Sequence, residues 1–355
     1  MNFFKNKSIF LTGHTGFKGA WLCEILKILE SKVTGYALEP KPGSLFEVIK
    51  GEQRMQSVIG DIRDRDHLLN AFTESRPEIV FHLAAQPLVL DSYKLPAYTF
   101  ETNVMGTVNL LECVRQSDTV RSVVIVTTDK VYQNLENNQG YKENDKLGGH
   151  DPYSSSKACT ELVAESYSAS FLKENNIPLS TARAGNVIGG GDTSENRIIP
   201  DCVRAALKGK TIVVRNPHAV RPYQHVLEPL LAYLLIAQCQ WDKTELAGNY
   251  NIGPKESDCI TTGALVDIFC EKWRNEQKWE IQSMPDSPHE AGLLYLDCGK
   301  IRQKLNWQPL WNVEDAVEKT VAWEKNKAEC NNMQIFTRKQ IESYMLKKGF
   351  TNEVC

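Results

Sequence analysis

The 355-residue chain carries no excess of either charge: 41 Lys+Arg stand against 44 Asp+Glu, a formal net charge of −3. Near-neutrality removes the electrostatic ground for expecting nucleic acid or an anionic membrane as partner. Long hydrophobic runs are lacking too. The longest, Pro229 to Ala237, is far short of the ~20 residues a spanning helix needs. The first residues show no signal-peptide pattern, because their short apolar stretch runs straight into a glycine motif, so a cytoplasmic protein is expected. The ten cysteines include no CxxC pair and no zinc-ligand spacing with a histidine. They read as reduced, mostly buried thiols, with no metal site. Internal repeats, heptads and low-complexity segments are absent.

What remains is an ordinary globular composition, 42% hydrophobic and 24% charged, long enough for two domains or one large one. In the first half, apolar runs of strand length alternate with helical stretches. Ser8–Thr12, Lys32–Leu38, Gln56–Ile59, Glu78–Leu83 and Ser122–Thr127 read as strands. They are apolar on both faces, which suits a buried parallel sheet. Gly19–Leu29 and Val104–Val114 read as helices between them. The alternation predicts a doubly wound α/β (Rossmann) domain over 1–185, with ligands at the strand C-terminal ends. A second, smaller α/β domain is expected over 186–340, across a soft boundary that admits interleaving. Residues 341–355 are expected to form a peripheral tail, with Phe350–Cys355 disordered.

Gly13, His14, Thr15, Gly16, Phe17, Lys18 and Gly19 follow the first strand and open the first helix. The spacing is GxxGxxG rather than GxGxxG, but the need is the same: a tight turn that lets a diphosphate reach a helix N-terminus. This marks a dinucleotide site. Glu39 lies 20 residues after Gly19 and is the candidate acid for the adenosine ribose, while His14 and Lys18 are candidates to accept a 2′-phosphate. The sequence therefore admits NAD and leaves NADP open. Asp61, followed by Ile62, is placed to meet the adenine edge or to cap a helix from Arg63.

Tyr153 and Lys157 are i,i+4 and share a helix face, 25 residues after Thr128 at the end of the fifth strand. This order resembles the extended branch of the short-chain dehydrogenase/reductases. The glycine turn, Asp61, the His82-Leu83-Ala84-Ala85-Gln86 string, Asn103, Thr127–Thr128, Tyr153 and Lys157 all fall in that family's sequence. The chemistry agrees. A phenol near pKa ~10 is a poor base at neutral pH, and a nearby ammonium with a cationic nicotinamide favours the phenolate. Tyr153 would take a hydroxyl proton while Thr128 hydrogen-bonds the same oxygen.

Asp129 and Lys130 come next, in Thr-Asp-Lys-Val-Tyr-Gln-Asn. Nucleotide-sugar 4,6-dehydratases carry an Asp followed by Glu there. Asp–Lys, with Gly140–Glu143 and Gly148–Tyr153, is similar to the CDP-glucose 4,6-dehydratase subfamily. The resemblance implies that Asp129 protonates the departing C6 hydroxyl and makes Lys130 the candidate to remove the C5 proton. An acid beside an ammonium ordinarily has a lowered pKa, so burial must offset it. Further on, Asn186 lies in an RxxNVxGxxD junction. Arg221 lies in Arg-Pro-Tyr-Gln-His-Val-Leu-Glu. Both resemble the family's sugar-nucleotide site, where Arg221, assisted by Arg197 or Arg215, would meet the phosphates. Gln86 and Thr128 complete the expected substrate contacts. The resemblance runs to about Trp323 and implies CDP-glucose as substrate, NAD as cofactor and a homodimer or homotetramer through helices near Asn103–Val114 and Tyr153–Tyr167.

Overall fold

Why these segments become strands is visible in the alternation of their buried faces. In a computed structural model describing residues 3–136, 139–274, 276–282 and 293–349, β1 (Ser8–Thr12), β2 (Lys32–Ala37), β3 (Gln56–Ile59), β4 (Ile79–His82), β5 (Ser122–Val126) and β6 (Leu179–Ala184) pair in one parallel sheet. Ile9, Leu11, Ile79, Phe81, Val124 and Val126 point into one core. Phe10, Val80, Val123 and Ile125 point into another on the opposite face. A strand buried on both sides cannot alternate apolar with polar, which is why these runs are continuous.

A seventh strand, β7 (Asn249–Ile252), comes from the second half of the chain and pairs with β6 in parallel. The order is β7-β6-β5-β4-β1-β2-β3, so the chain reverses direction across the sheet between β1 and β4. The crevice at that reversal is where ligands bind in such sheets.

The first core is covered by α1 (Phe17–Ile28), and the second by α2 (Arg65–Ser75), α3 (Gly106–Arg115) and α4 (Pro152–Tyr167). α1 begins two residues before the expected start, because the turn closes early: Gly16 N–H donates to Gly13 O and Ala20 N–H to Gly16 O. α3 is entered through a π-helical turn at Glu101–Met105. α2 starts at Arg65, and its cap is Asp64, which accepts from His67 N–H; the cap expected of Asp61 is therefore corrected.

α5 (Ile198–Leu207), α6 (Leu227–Asp242), α7 (Thr262–Trp273), α8 (Val313–Ala328) and α9 (Met333–Lys348) follow. The longest apolar run lies in α6, which is buried nearly all round against β5 and β6; Gln240 on it hydrogen-bonds Ser122, Val123 and Ser180. α5, α7 and one face of α8 form a separate core with the short strand Ile212–Val214. Among the described residues no helix is long and apolar enough to cross a membrane. Among the described residues eight cysteines are free thiols.

The peripheral tail is a second correction. α9 occupies residues 333–348, and Ile341, Tyr344 and Met345 are in the main core. Its sequence is polar overall because only one stripe is buried. The tertiary partner is Glu228, which accepts from Leu310 N–H, Trp311 N–H and Tyr344 Oη. The disorder expected of Phe350–Cys355 lies outside the described residues. Ile341→Ala should lower the unfolding free energy by about 2–5 kcal/mol, the range for emptying a buried aliphatic site. Urea midpoints check this; a change under about 0.5 kcal/mol, the surface range, would restore the peripheral reading.

Candidate active site

The glycine turn forms the floor of the crevice. Gly13 sits at φ +77°, and a Cβ there would meet Ala84 N at 2.7 Å, so the ends of β1 and β4 touch through bare backbone. A Cβ on Gly19 would come within 2.1 Å of Gly13 O. Only glycine permits both approaches. α1 starts at Gly16 with no side-chain cap and no acid in its first turn, so its N–H groups are left for a ligand. A diphosphate fits this cradle in shape and charge.

Thr12 and His82, at the ends of β1 and β4, lock that contact. Thr12 Oγ1 lies 2.7 Å from His82 Nδ1 and accepts from Leu83 and Ala84 N–H. Asn103 Oδ1 accepts from Gln86 N–H at 2.8 Å, while its amide donates to Ser156 Oγ at 2.8 Å. Asn103 thus ties the Leu83–Gln86 loop to α4. The Gln86 side chain is committed to the same loop: its amide donates to Leu88 O and Thr99 Oγ1 and its oxygen accepts from Leu88 N–H. The substrate contact expected of that side chain is replaced by a structural one.

The far end of the crevice gathers the acid–base residues. Thr128 leaves β5 in extended conformation, and its hydroxyl donates to Asp129 Oδ1 at 3.0 Å. Lys130 Nζ reaches the same oxygen at 2.9 Å and Asn186 Oδ1 at 3.3 Å. Asp129 is wholly buried, and its Oδ2 has no hydrogen-bond partner. That oxygen lies over Gly185, where a Cβ would stand 3.0 Å from it. On α4, capped by Asp151, Tyr153 stands beside Thr128. Lys157 Nζ donates to Val126 O at 3.2 Å.

The electrostatics differ from the expectation in one respect. Burial pushes Tyr153 up to about 12; the Thr128 hydroxyl and the Arg197 charge pull it the other way. Burial brings Lys157 down to about 8, opposed by Glu161. In the protein alone burial therefore holds the phenol neutral.

Lys18 and His14 also depart from the expectation. The His14 imidazole is buried between Gly35 and Phe46 and bonded to Ser57 Oγ at 2.7 Å. Burial lowers it to about 4, so it is neutral and offers no charge to a 2′-phosphate. Lys18 points the other way, to the acid–base end. Its Nζ lies 3.4 Å from Tyr233 Oη, within electrostatic reach of Arg197, Lys157, Asp129 and Lys130. Burial and those cations bring it to about 7. Glu39 is exposed, two residues past the end of β2. Asp61 is clasped by the Arg63 guanidinium, which holds its carboxyl below the usual range.

Arg197 caps α5 and pairs with Asp192 at 3.2 Å. Arg215 reaches Asn196 at 3.3 Å. Arg221 lies mostly buried on Val220–Pro222, beside the Pro222 ring that packs on Gly185. Two residues that sequence reasoning passed over belong here. Tyr233 stands in an apolar run, and Glu161 is one more acid on a helix; only the fold brings them under Lys18 and Lys157.

Lys18→Met should raise the melting temperature at pH 6. A lysine lowered in the folded state costs stability fully below about 7, and that cost fades as pH rises toward the unfolded value near 10.5. The gain should therefore shrink through pH 8–10; calorimetric melts across that range check it.

The whole-chain comparisons agree with this geometry. A family described as GDP-mannose 4,6 dehydratase matches residues 10–320. The CDP-glucose 4,6-dehydratase of Salmonella typhimurium is 43% identical over 351 residues, covering 97% of this chain and 98% of that protein. The dTDP-glucose 4,6-dehydratase of Bacillus anthracis, solved with NAD, superposes with a TM-score of 0.77 at 24% identity, covering 92% of this chain and 98% of that one. The UDP-glucose 4-epimerase of Thermus thermophilus, also with NAD, gives 0.78 at 25% identity over 89% and 98%. With the glycine cradle, the paired Tyr153 and Lys157 and the buried Asp129 in one crevice, the chain belongs to the GDP-mannose 4,6 dehydratase family of extended short-chain dehydrogenase/reductases.

Proposed function

We propose that the chain converts CDP-D-glucose to CDP-4-dehydro-6-deoxy-D-glucose and water, with NAD as resident cofactor. The observation that carries this is the Asp129–Lys130 pair beside Thr128, Tyr153 and Lys157, in a chain similar throughout to a CDP-glucose 4,6-dehydratase. The Gly13–Gly19 turn would hold the cofactor diphosphate, Asp61–Ile62 the adenine and Leu83–Ala85 the nicotinamide side. Neutral His14 and inward-turned Lys18 favour NAD over NADP. When bound, NAD accepts hydride from C4 and returns it to C6.

Tyr153 would act as the phenolate that the Lys157 ammonium and a cationic nicotinamide favour, taking the C4 hydroxyl proton, with Thr128 turning to donate to the same oxygen as it becomes a carbonyl. The 4-keto group then acidifies C5–H. The elimination needs a neutral base and a protonated acid at once. Lys130 and Asp129 supply both by moving one proton along their 2.9 Å hydrogen bond, from Nζ to the carboxylate. Excluding water around the sugar favours that neutral pair, since a buried ion pair loses its hydration. Lys130 then takes the C5 proton and Asp129 protonates the departing C6 hydroxyl; as C6 is reduced Lys130 returns its proton to C5, and the proton held by Tyr153 is left to restore the Lys130 ammonium. Arg221, Arg197 and Asn186 would hold the diphosphate of the sugar nucleotide.

Two expectations follow. Asp129→Asn keeps the shape but cannot deliver a proton. Oxidation at C4 should survive, and 340 nm absorbance should rise and persist in a single turnover while water loss slows by ~10²–10⁴-fold. Water loss at the wild-type rate would overturn the assignment of Asp129. Purified protein offered CDP-, dTDP-, UDP- and GDP-glucose in turn should release a 4-keto-6-deoxy product, lighter by one water, fastest from the cytidine nucleotide.

The assembly is a homo-oligomer in the same reading. Leu95, Phe100, Met105, Leu162 and Phe171 are large apolar side chains left exposed on and around α4 and the turn before α3, elements that pack on one another. A second copy covering this face would hide them. Light scattering should give a multiple of 40.1 kDa for the wild type, and a monomer with unchanged far-UV dichroism for Leu162→Glu combined with Met105→Glu.

A further inference from the structure

Below the Tyr153–Lys157 pair lies a buried ion pair that the reaction as described does not use. Glu161, one turn after Lys157 on α4, pairs with Arg183 of β6 at 2.8 Å, and both side chains are only 1% exposed. The carboxylate also accepts from two threonines, one just past β5 and one within β6. Oε1 accepts from Thr127 Oγ1 at 2.5 Å, and Oε2 also accepts from Thr181 Oγ1 at 2.7 Å. The guanidinium continues the network outward: Arg183 donates to Tyr132 Oη at 2.8 Å and to Glu143 O at 3.0 Å, and Tyr132 Oη donates to Asn251 Oδ1 on β7 at 2.6 Å.

The register of these contacts is what gives them a consequence. Lys157 grips the carbonyl of Val126, and Glu161, one turn on, grips the hydroxyl of the next residue, Thr127. Thr128, Asp129 and Lys130 follow directly. Two successive turns of α4 therefore hold the last residue of β5 and the residue after it, and that clamp sets where the acid–base segment leaves the sheet. We propose that Glu161 is a positioning residue for Tyr153 and Lys157: it locks α4 onto the end of β5 and supplies the negative charge that balances the Lys157 ammonium. The proposal rests on the dehydratase reading only for its kinetic test.

The charges around the pair make the balance necessary. Lys157 lies in a buried site and feels burial first, with Glu161 opposing it. His82 on β4 is within reach of the ammonium but is itself driven to about 3 and stays neutral. Lys18 on α1 is a second cation facing Lys157. Tyr153 is faced by Asp129, Arg197 and Asp151. Glu161 is thus the carboxylate that acts on Lys157 from its own helix, and Arg183 and the two threonines keep it in place.

Glu161→Gln removes the charge and keeps the shape. The Glu161 charge favours the Lys157 ammonium, and that ammonium favours the Tyr153 phenolate, so the acid limb of kcat/KM should move up by about one unit, an approximately tenfold loss at pH 7. Because that variant strands Arg183, Glu161→Met with Arg183→Met is made alongside; removing both charges avoids an unpaired buried cation. The shifted limb should appear in both. The Lys157 titration, followed by NMR on lysine labelled with carbon-13 and nitrogen-15 and identified through Lys157→Arg, should fall in parallel in the protein without substrate. An unmoved lysine titration or a wild-type pH profile in the double variant would overturn the proposal and leave Glu161 as packing. A wild-type chain that dehydrates no sugar nucleotide would instead overturn the proposed reaction, while the lysine titration still decides the role of Glu161.

Discussion

The buried Glu161–Arg183 pair is the constraint on which the acid–base end depends. An ion pair withdrawn from water is costly unless its remaining hydrogen bonds are met. Here most are met, by Thr127, Thr181, Tyr132 and the Glu143 carbonyl, drawn from β6 and the segment that follows β5, while Arg183 Nε is left without a partner. Satisfying the pair therefore fixes β6 and that segment against one helix. Removing either charge alone would leave the other stranded, so the local arrangement is rigid in a way that apolar packing by itself would not enforce.

The opposite end of the crevice is held by shape rather than charge. Gly13 and Gly19 let β1, β4 and α1 approach to distances no side chain permits, and neutral His82 pins the contact between two threonine hydroxyls. The two ends meet at the reversal of strand order between β1 and β4. A diphosphate cradle and a proton-transfer cluster are thereby brought to one opening, although some 115 residues separate Gly13 from Thr128.

Asp129 and Lys130 sit at that junction with opposite demands. As charged groups they attract each other and stabilise the loop. As reagents for elimination they must be neutral. In the proposed reaction one short hydrogen bond would serve both, because moving a single proton along it would change the pair from a structural ion pair to a base and an acid. The second oxygen of Asp129 is buried above Gly185 without a hydrogen-bond partner.

The strands, the glycine turn and the i,i+4 Tyr–Lys pair were legible in the sequence because each is a local pattern: continuous apolar runs, backbone-only positions and helical spacing. Asp129–Lys130 was legible for the same reason, as neighbours in the chain. The misreadings share a cause. Lys18 and His14 sit four residues apart in one motif and read alike as cations, yet the fold buries His14 beside Ser57 and turns Lys18 toward Tyr233. The 341–355 tail read as peripheral because a one-stripe helix looks polar until its partner Glu228 is known. Glu161 carried no signal at all. Local sequence determined which elements and which reactive types this chain has; tertiary structure decided their protonation and direction, because those depend on burial and on partners distant in the chain.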